Sequence, residues 1–315
     1  MRNHSRYVVW LLALVLAVGF VLLGADWDFA YVIPKRLQRL AAMVAAGVCI
    51  GWSSVVFQTI AGNRILTPAI MGYEAVYLLF QALLILLLGT HSLVLLGRDA
   101  NAGLSILLML GYSWAMHRWL FRGDQHNVYL LLLLGLVLSM VLGTFSQFIQ
   151  LKISPGEFSI LQGFNYASFN KAQPLQLLYC GVLVAAVGLV LWRTLAVLDV
   201  LALGRDQASS LGVDYRPSVR LQLALIAVLV AVSTSLVGPT AFMGVFVANI
   251  TYALAGSSQH RITLPMSCAV AICIFILAQF LVEQVFNYST TVTILINLVC
   301  GAYFLALMVR SRGTA

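Results

Sequence analysis

The stretch RLQRLAAMVAAGVCIGWSSVVFQTIAGNRILTPAIMG, residues 36–72, opens with two arginines and then carries no charge between Arg39 and Arg64. A helix needs roughly 20 predominantly apolar residues to cross a bilayer. This uncharged run is long enough, and comparable runs recur along the chain. By the same criterion we predict about ten transmembrane helices, at 7–23, 38–60, 70–89, 102–121, 128–149, 175–194, 219–237, 240–256, 264–285 and 291–309.

The composition agrees with a chain that lives in lipid. Hydrophobic residues make up 62% of it and charged residues 9%, against about 45–50% and about 25% in soluble domains. A soluble fold of this size could not bury so much apolar surface. We therefore predict an all-α polytopic membrane protein with one transmembrane domain over residues 1–315. The net charge of +8 is attributed to topology, and no nucleic-acid partner is expected.

The basic residues predict the orientation of the chain. If the N-terminus is cytoplasmic, twelve lysines and arginines fall inside and six outside. Short loops rich in lysine and arginine stay in the cytoplasm, so both termini are expected on that side. The chain itself is expected to span the cytoplasmic (inner) membrane. Arg2 and Arg6 before the first apolar run could belong to a signal peptide, but no A-x-A cleavage site follows, which favours a retained helix. Lys35, Arg36 and Arg39 form a basic cluster outside that topology alone does not explain.

Residues that could carry chemistry are sparse. None of the three lysines follows a glycine, so the chain has no phosphate-binding P-loop, and ATP energy would have to come from another chain. The five cysteines lie in apolar segments and the five histidines are scattered. We predict no catalytic residue, no cofactor and no metal site, and therefore no enzyme.

Two connections are longer than simple turns. The outer one, 150–174, contains a short apolar patch and predicts a partial helix at about 156–166. The inner one contains LALGRDQASSLGVDYRP, and its segment at about 199–216 could form a short helix that begins near Asp206 and ends at Gly212. A helical cytoplasmic loop of this length suits docking of a soluble subunit, whereas the alternative is a solvated linker.

Two helices carry small or polar residues at every fourth position: Ser139, Gly143 and Gln147 in the fifth span, and Thr293, Asn297 and Gly301 in the last. Such stripes lie on one helix face. They either line a translocation path or let helices pack closely. For Gly47 and Gly51 with their small neighbours, packing is favoured. An intramembrane proton site at Glu74 is less favoured than a carboxylate held by hydration or by its helix N-terminus.

Four segments resemble the FecCD-type permeases of ATP-binding-cassette importers for iron–siderophores and vitamin B12. Residues 36–72 match the family's R-L-x-R pair and its Q-x-x-x-x-N-P-L-x-x-P-x-x-x-G loop. LALGRDQASSLGV is similar to its cytoplasmic coupling segment, GPTAFMGVFVANI to its G-P-x-x-F-x-G block, and VTILINLVCGAYFLALM to its last helix. The sequence departs from the family at Arg64, where a proline is usual, and at Ala248-Asn249, where Pro-His is usual. The Asn63-Arg64 variant looks like the iron-chelate subgroup.

The resemblance implies a vitamin B12 importer-type permease fold and a second permease, identical or sister, with the substrate path at the dimer axis. It also implies two ATPase subunits, an extracytoplasmic siderophore-binding protein docked on Arg36 and Arg39, and a ferric siderophore as cargo. The coupling residues would be Leu203, Gly204, Arg205, Asp206, Ala208, Ser209, Leu211 and Gly212. Vitamin B12 or haem is the alternative cargo. A proton-coupled secondary transporter is the alternative of another class.

Overall fold

The structure is a computed structural model that describes residues 2–23, 30–89, 92–120, 128–240 and 242–312. Arg122, one of the arginines predicted to lie inside, falls outside the described residues. The α-helices are α1 Arg2–Leu22, α2 Val32–Ala61, α3 Tyr73–Leu88, α4 Ser92–Leu120, α5 Val128–Gln150, α6 Pro155–Asn165, α7 Pro174–Leu201, α8 Arg205–Ser210, α9 Tyr215–Val237, α10 Met243–Ala255, α11 His260–Gln284 and α12 Val292–Arg312. Two short 3-10 helices add Pro68–Met71 and Phe169–Lys171.

Each of the ten predicted spans coincides with a helix, and no β-strand occurs in the part of the chain that the structure describes. The all-α prediction is thereby confirmed. Five helices are long and apolar enough to cross a membrane by length and composition, namely α2, α5 from Leu132, α7, α9 and α11. Four more apolar helices are shorter: α1 from Arg6, α3, α10, and α12 as far as Tyr303. The two short extra helices, α6 and α8, lie where the sequence predicts a partial helix and a coupling segment.

The centre of the bundle is formed by α2, which packs between α9 and α11. The small residues of α2 make this close contact possible. A Cβ atom at Gly51 would lie 2.9 Å from the carbonyl carbon of Ser267, and one at Gly47 would lie 2.9 Å from the Ile272 side chain. Small residues let membrane helices approach each other in this way. The packing interpretation of Gly47 and Gly51 agrees with these contacts.

Replacing Gly51 by alanine is expected to destabilise the protein, because the added methyl group meets backbone that cannot rotate away. Overpacking of this kind costs about 1–3 kcal/mol. Gly103→Ala in α4 is the matched control, since nothing lies within 4 Å of a Cβ there. The check is the thermal unfolding midpoint of each variant in detergent. Equal midpoints for the two variants would contradict the close contact.

The chain is broken in the same way after α2 and after α9. Each long helix is followed by a segment that is not α-helical and contains a proline, Pro68 or Pro239, and then by a shorter α-helix. The following helices α3 and α10 have 16 and 13 residues. At about 1.5 Å per residue they are too short to cross a hydrocarbon layer of about 30 Å by themselves. The predicted spans 70–89 and 240–256 therefore each contain irregular backbone in addition to a helix.

Candidate functional site

A cavity of about 620 Å³ lies between α3, α5 and α10. Three of the residues that line it are Ser139, Gly143 and Gln147, the stripe that the sequence singles out on the fifth span. Ser146, Gln150 and Asn165 add further polar groups to its wall. Along the described lining of this cavity the one ionisable side chain is Glu74. The cavity therefore combines polar groups from α5 with apolar side chains from the other elements of its wall.

The stripe on the last span lies elsewhere. Thr293 is half-buried, and its hydroxyl oxygen accepts a hydrogen bond from the Ala167 backbone N–H at 2.6 Å. Asn297 and Gly301 are exposed on α12, and neither lines the 620 Å³ cavity. Within a single chain the two stripes are therefore not opposite walls of one cavity. The α12 residues could line a path only if a second subunit supplied the opposite wall.

Glu74 connects the segment that follows α2 with the segment that follows α9. It lies in the first turn of α3, as the helix N-terminus interpretation expects, and its Oε1 accepts a hydrogen bond from the Thr240 backbone N–H at 3.0 Å. A neighbouring cavity of about 30 Å³ brings this carboxylate together with the hydroxyl-bearing residues Ser53, Ser54, Thr67, Ser233 and Thr234. The partner of Glu74 could not be read from the sequence, because Thr240 lies 166 residues away.

The coupling segment forms a six-residue helix, α8, that projects from the ends of α7 and α9. Gly204 and Gly212 flank it with φ angles of 96° and 81°, which favour glycine because a Cβ atom is strained there. Leu203 and Leu211 are 52% and 62% exposed. The other exposed members of the predicted set are Gly204, Arg205, Asp206, Ser209 and Gly212.

One predicted coupling residue, Ala208, differs from the others in its burial. Ala208 has no exposed surface, so its side chain packs within the chain and cannot contact a partner directly. The reason is that α8 rests on α7 and α9, and Ala208 is the one residue of this short helix on that buried side. Its small size suits the contact between α8 and its own bundle.

A hydrogen-bonded group next to α8 was missed by the sequence analysis. The His260 Nδ1 lies 2.6 Å from the Asp199 Oδ1, which also accepts the His260 backbone N–H at 2.8 Å. The other ring nitrogen, Nε2, lies 2.8 Å from the Thr59 Oγ1. The group joins the ends of α2, α7 and α11 immediately before the coupling segment. No local motif signals it, because its members come from three separate helices.

Both arginines of the outer basic cluster have partners within the chain. Arg36 donates to the backbone carbonyl oxygen of Phe20 at 3.0 Å and to that of Leu23. The Arg39 Nη1 lies 2.9 Å from the Glu283 Oε1, and Gln279 donates to the same oxygen at 2.6 Å. The Arg39 side chain keeps 25% of its surface exposed. These contacts fix Arg36 to the end of α1 and Arg39 to the end of α11.

The two departures from the family motifs contact each other. The carbonyl oxygen of Arg64 accepts a hydrogen bond from Gln58 at 2.8 Å and one from Asn249 at 3.2 Å. The Arg64 guanidinium also lies 4.8 Å from the centre of the Tyr252 ring. The residues that replace the family's proline and histidine thus hold the loop after α2 against α10.

The described residues contain no group of three or more histidine, cysteine, aspartate or glutamate side chains placed to bind a metal ion. All five cysteines are buried and unpaired.

Comparison with known proteins gives a consistent result over the whole chain. The sequence profile of the FecCD transport family matches residues 8–310. The petrobactin import system permease protein YclO of Bacillus subtilis (strain 168) is 36% identical over 315 residues, which cover 99% of both chains. The petrobactin import system permease protein FatC of Bacillus anthracis is 34% identical over 90% of this chain and 80% of its own length.

A solved structure supports the fold. It is described as a metal-chelate type ABC transporter in an inward-facing conformation, and it superposes with a TM-score of 0.85 over 98% of this chain and 99% of its own. The two sequences are 20% identical, so this similarity concerns the fold alone. The vitamin B12 importer-type arrangement predicted for the helices agrees with a permease fold of this kind.

Proposed function

Because the chain belongs to the FecCD transport family, we propose that it is the membrane-spanning permease of an ATP-binding-cassette importer that carries a ferric siderophore across the cytoplasmic membrane. One observation carries the proposal: a petrobactin import permease is similar to this chain over 99% of both sequences. A match over the full length retains every helix and both connecting segments. The chain is a multi-pass transport subunit, and hydrolysis of ATP is assigned to separate partner chains.

A second permease, identical or sister, completes the translocation path in this proposal. The cavity lined by Ser139, Gly143 and Gln147 opens beside exposed surfaces of α5, and the polar side of α12 with Asn297 and Gly301 is also uncovered. Polar groups on the surface of a membrane helix are costly in lipid and usually face a bundle interior or a water-filled cavity. Apposition of two such chains would place these surfaces around a common axis.

Two ATPase subunits drive the cycle through α8. The exposed Leu203 and Leu211 supply apolar contacts, and Arg205 and Asp206 supply polar ones. The Asp199–His260–Thr59 group lies at the base of this contact and joins three helix ends. Movement of α8 would thereby be passed to α2 and α11, and so to the walls of the path.

The cargo is tested by uptake in cells that lack their own importer of this class. Cells that express this chain with its second permease, its ATPase and its binding protein are expected to accumulate labelled iron from a ferric siderophore. Labelled vitamin B12 and haem are the competing cargoes in the same assay. Accumulation of vitamin B12 or haem without accumulation of the ferric siderophore would refute the proposed cargo.

An extracytoplasmic siderophore-binding protein docks on Arg36 and Arg39 in this account. Arginine pairs with carboxylates through two charge-assisted hydrogen bonds, which give orientation as well as attraction. The Arg39–Glu283 pair holds one guanidinium at the surface with part of it exposed. Docking would then extend an existing ion pair by a carboxylate from the binding protein.

Reversal of both arginines, Arg36→Glu with Arg39→Glu, is expected to block uptake while the protein still inserts in the membrane. Loss of a hydrogen-bonded charge pair at an interface costs about 2–5 kcal/mol, so binding of the loaded binding protein should weaken by at least about tenfold. The measurement is the affinity of the loaded binding protein for the purified complex, together with uptake in vesicles.

Two further variants separate docking from damage to the chain. Lys152→Glu makes the same type of reversal at another exposed position after α5, and it should leave binding unchanged. Glu283→Gln releases Arg39 without altering its charge, and binding should persist. If the double reversal binds the loaded protein as well as the Lys152 variant does, docking on these arginines is wrong.

A further inference from the structure

A second polar cavity, of about 150 Å³, lies under α6, between α6 and the adjoining ends of α3, α4 and α9. No residue that lines it also lines the 620 Å³ cavity. Its wall includes the 3-10 helix residue Lys171 and, close to the kink of α4 at Gly97, Arg98. The cavity thus belongs to the end of the bundle that the topology places outside, and the proposed transport function does not use it.

One wall of this cavity is a buried cluster of amides and hydroxyls. Gln81 donates to the Asn101 Oδ1 at 3.2 Å and to the Ser105 Oγ at 3.1 Å, and Asn101 donates back to the Gln81 Oε1 at 3.1 Å. These groups satisfy each other and fix the shape of the wall. Tyr77 differs from them, because this residue is only 5% exposed and takes no part in the network of Gln81, Asn101 and Ser105. Because Tyr77 lines the cavity, its hydroxyl is available to donate a hydrogen bond to a group that enters there.

Two cations line the same cavity without a carboxylate between them. Lys171 donates to the Gly163 carbonyl oxygen, and its ammonium group lies 5.2 Å from the centre of the Phe164 ring. Arg98 is exposed, and no ion pair joins it to a described acidic residue. Burial and the nearby Arg98 together lower the pKa of Lys171 to about 8. An anion between Lys171 and Arg98 would favour the charged form of both side chains.

Asp99, the acidic residue next to Arg98 in the sequence, has a different hydrogen-bond partner. Asp99 follows Arg98 in α4 but does not line the cavity. With the Gln173 amide oriented as a donor, its nitrogen lies 2.9 Å from one Asp99 carboxylate oxygen. Asp99 is therefore directed to the start of α7, and it does not neutralise the two cations.

We propose that this cavity binds a small anionic group, a carboxylate or a phosphate, held by Arg98 and Lys171 and by a hydrogen bond from the Tyr77 hydroxyl. The volume suits a single such group and is too small for a whole ferric chelate. The group can come from a free anion outside the cell or from the phosphate of a lipid headgroup. Because Lys171 also bonds to Gly163 of α6, the bound anion would tie α6 to α4.

The test uses the purified full chain in phosphatidylcholine nanodiscs. Inorganic phosphate or citrate is titrated against chloride of equal ionic strength, and the thermal unfolding midpoint is recorded. A ligand that binds only the folded state raises this midpoint with concentration. A second arm adds phosphatidylglycerol to the nanodiscs and counts the lipid retained by the protein in native mass spectrometry. Response in the first arm identifies a free anion, and response in the second identifies a lipid headgroup.

Arg98→Gln and Lys171→Gln are expected to weaken the affinity for the anion or lipid that the wild type binds by at least about tenfold. Each substitution removes a charge-assisted hydrogen bond. Tyr77→Phe should weaken it to a smaller extent while it retains the packing of the ring. Lys152→Gln, at an exposed lysine outside the cavity, is the control and should respond as the wild type does. The proposal is wrong if the wild type responds in neither arm, or if the Arg98, Lys171 and Tyr77 variants all respond like the control.

Discussion

Leu211→Glu is expected to abolish ATP-driven transport while the chain itself remains folded. Leu211 directly follows α8 and is 62% exposed, and Leu203, just before α8, is 52% exposed. Apolar side chains at both ends of a short projecting helix form a natural centre for an interface. Loss of a hot-spot residue costs about 2 kcal/mol or more, so if Leu211 is one, the affinity for the ATPase falls by roughly thirtyfold.

The measurement is retention of the ATPase subunit on the tagged permease, followed by ATP-driven uptake in vesicles. Leu151→Glu is the matched control, because Leu151 is 83% exposed directly after α5 on the opposite side of the predicted topology. That variant should retain the ATPase. The thermal midpoint of the Leu211 variant should stay close to that of the wild type, since most of the Leu211 surface is exposed. If the Leu211→Glu variant retains the ATPase and still drives uptake with ATP, the role of α8 as the coupling element is wrong.

Glu74→Ala is expected to lower uptake by at least about tenfold, whereas Glu74→Gln retains most of it. The Glu74 carboxylate accepts a hydrogen bond from the Thr240 backbone N–H and so holds the start of α3 against the segment after α9. Alanine leaves that donor unsatisfied, at a cost of about 1–3 kcal/mol, and frees the segment before α10 beside the cavity. Glutamine offers a carbonyl oxygen at the same place and keeps the bond.

The same pair of variants separates the importer from a proton-coupled transporter. A proton site needs a group that titrates, so glutamine would be as inactive as alanine in that mechanism. The measurement is ATP-driven uptake of labelled ferric siderophore in vesicles, at equal amounts of assembled complex. Loss of uptake in both variants would assign the role of Glu74 to its charge and would overturn its role as a connection between α3 and α10.

The helices themselves could be predicted because each is a long apolar run, and the stripe at Ser139, Gly143 and Gln147 could be found because one helix face repeats every four residues. The face of α8 could not be predicted in this way. Six residues are too few for a period to show, so only the structure places Ala208 on the buried side.

Contacts between distant segments are the other part that sequence patterns do not supply. Asp199 and His260 are separated by 61 residues, and Arg64 and Asn249 by 185. Each residue by itself resembles an ordinary polar residue of a helix or loop. Their partners become evident only when the helices are packed, which is also why the substitution of Arg64 for the family's proline has a structural explanation only in the fold.

The central claim is that this chain supplies the membrane walls while a separate ATPase supplies the energy. The direct measurement is uptake of a labelled ferric siderophore into vesicles that contain the purified chain, with and without its ATPase and binding protein. We expect accumulation only when the partners and ATP are all present. Accumulation by the chain alone, under a pH gradient and without nucleotide, would contradict the account.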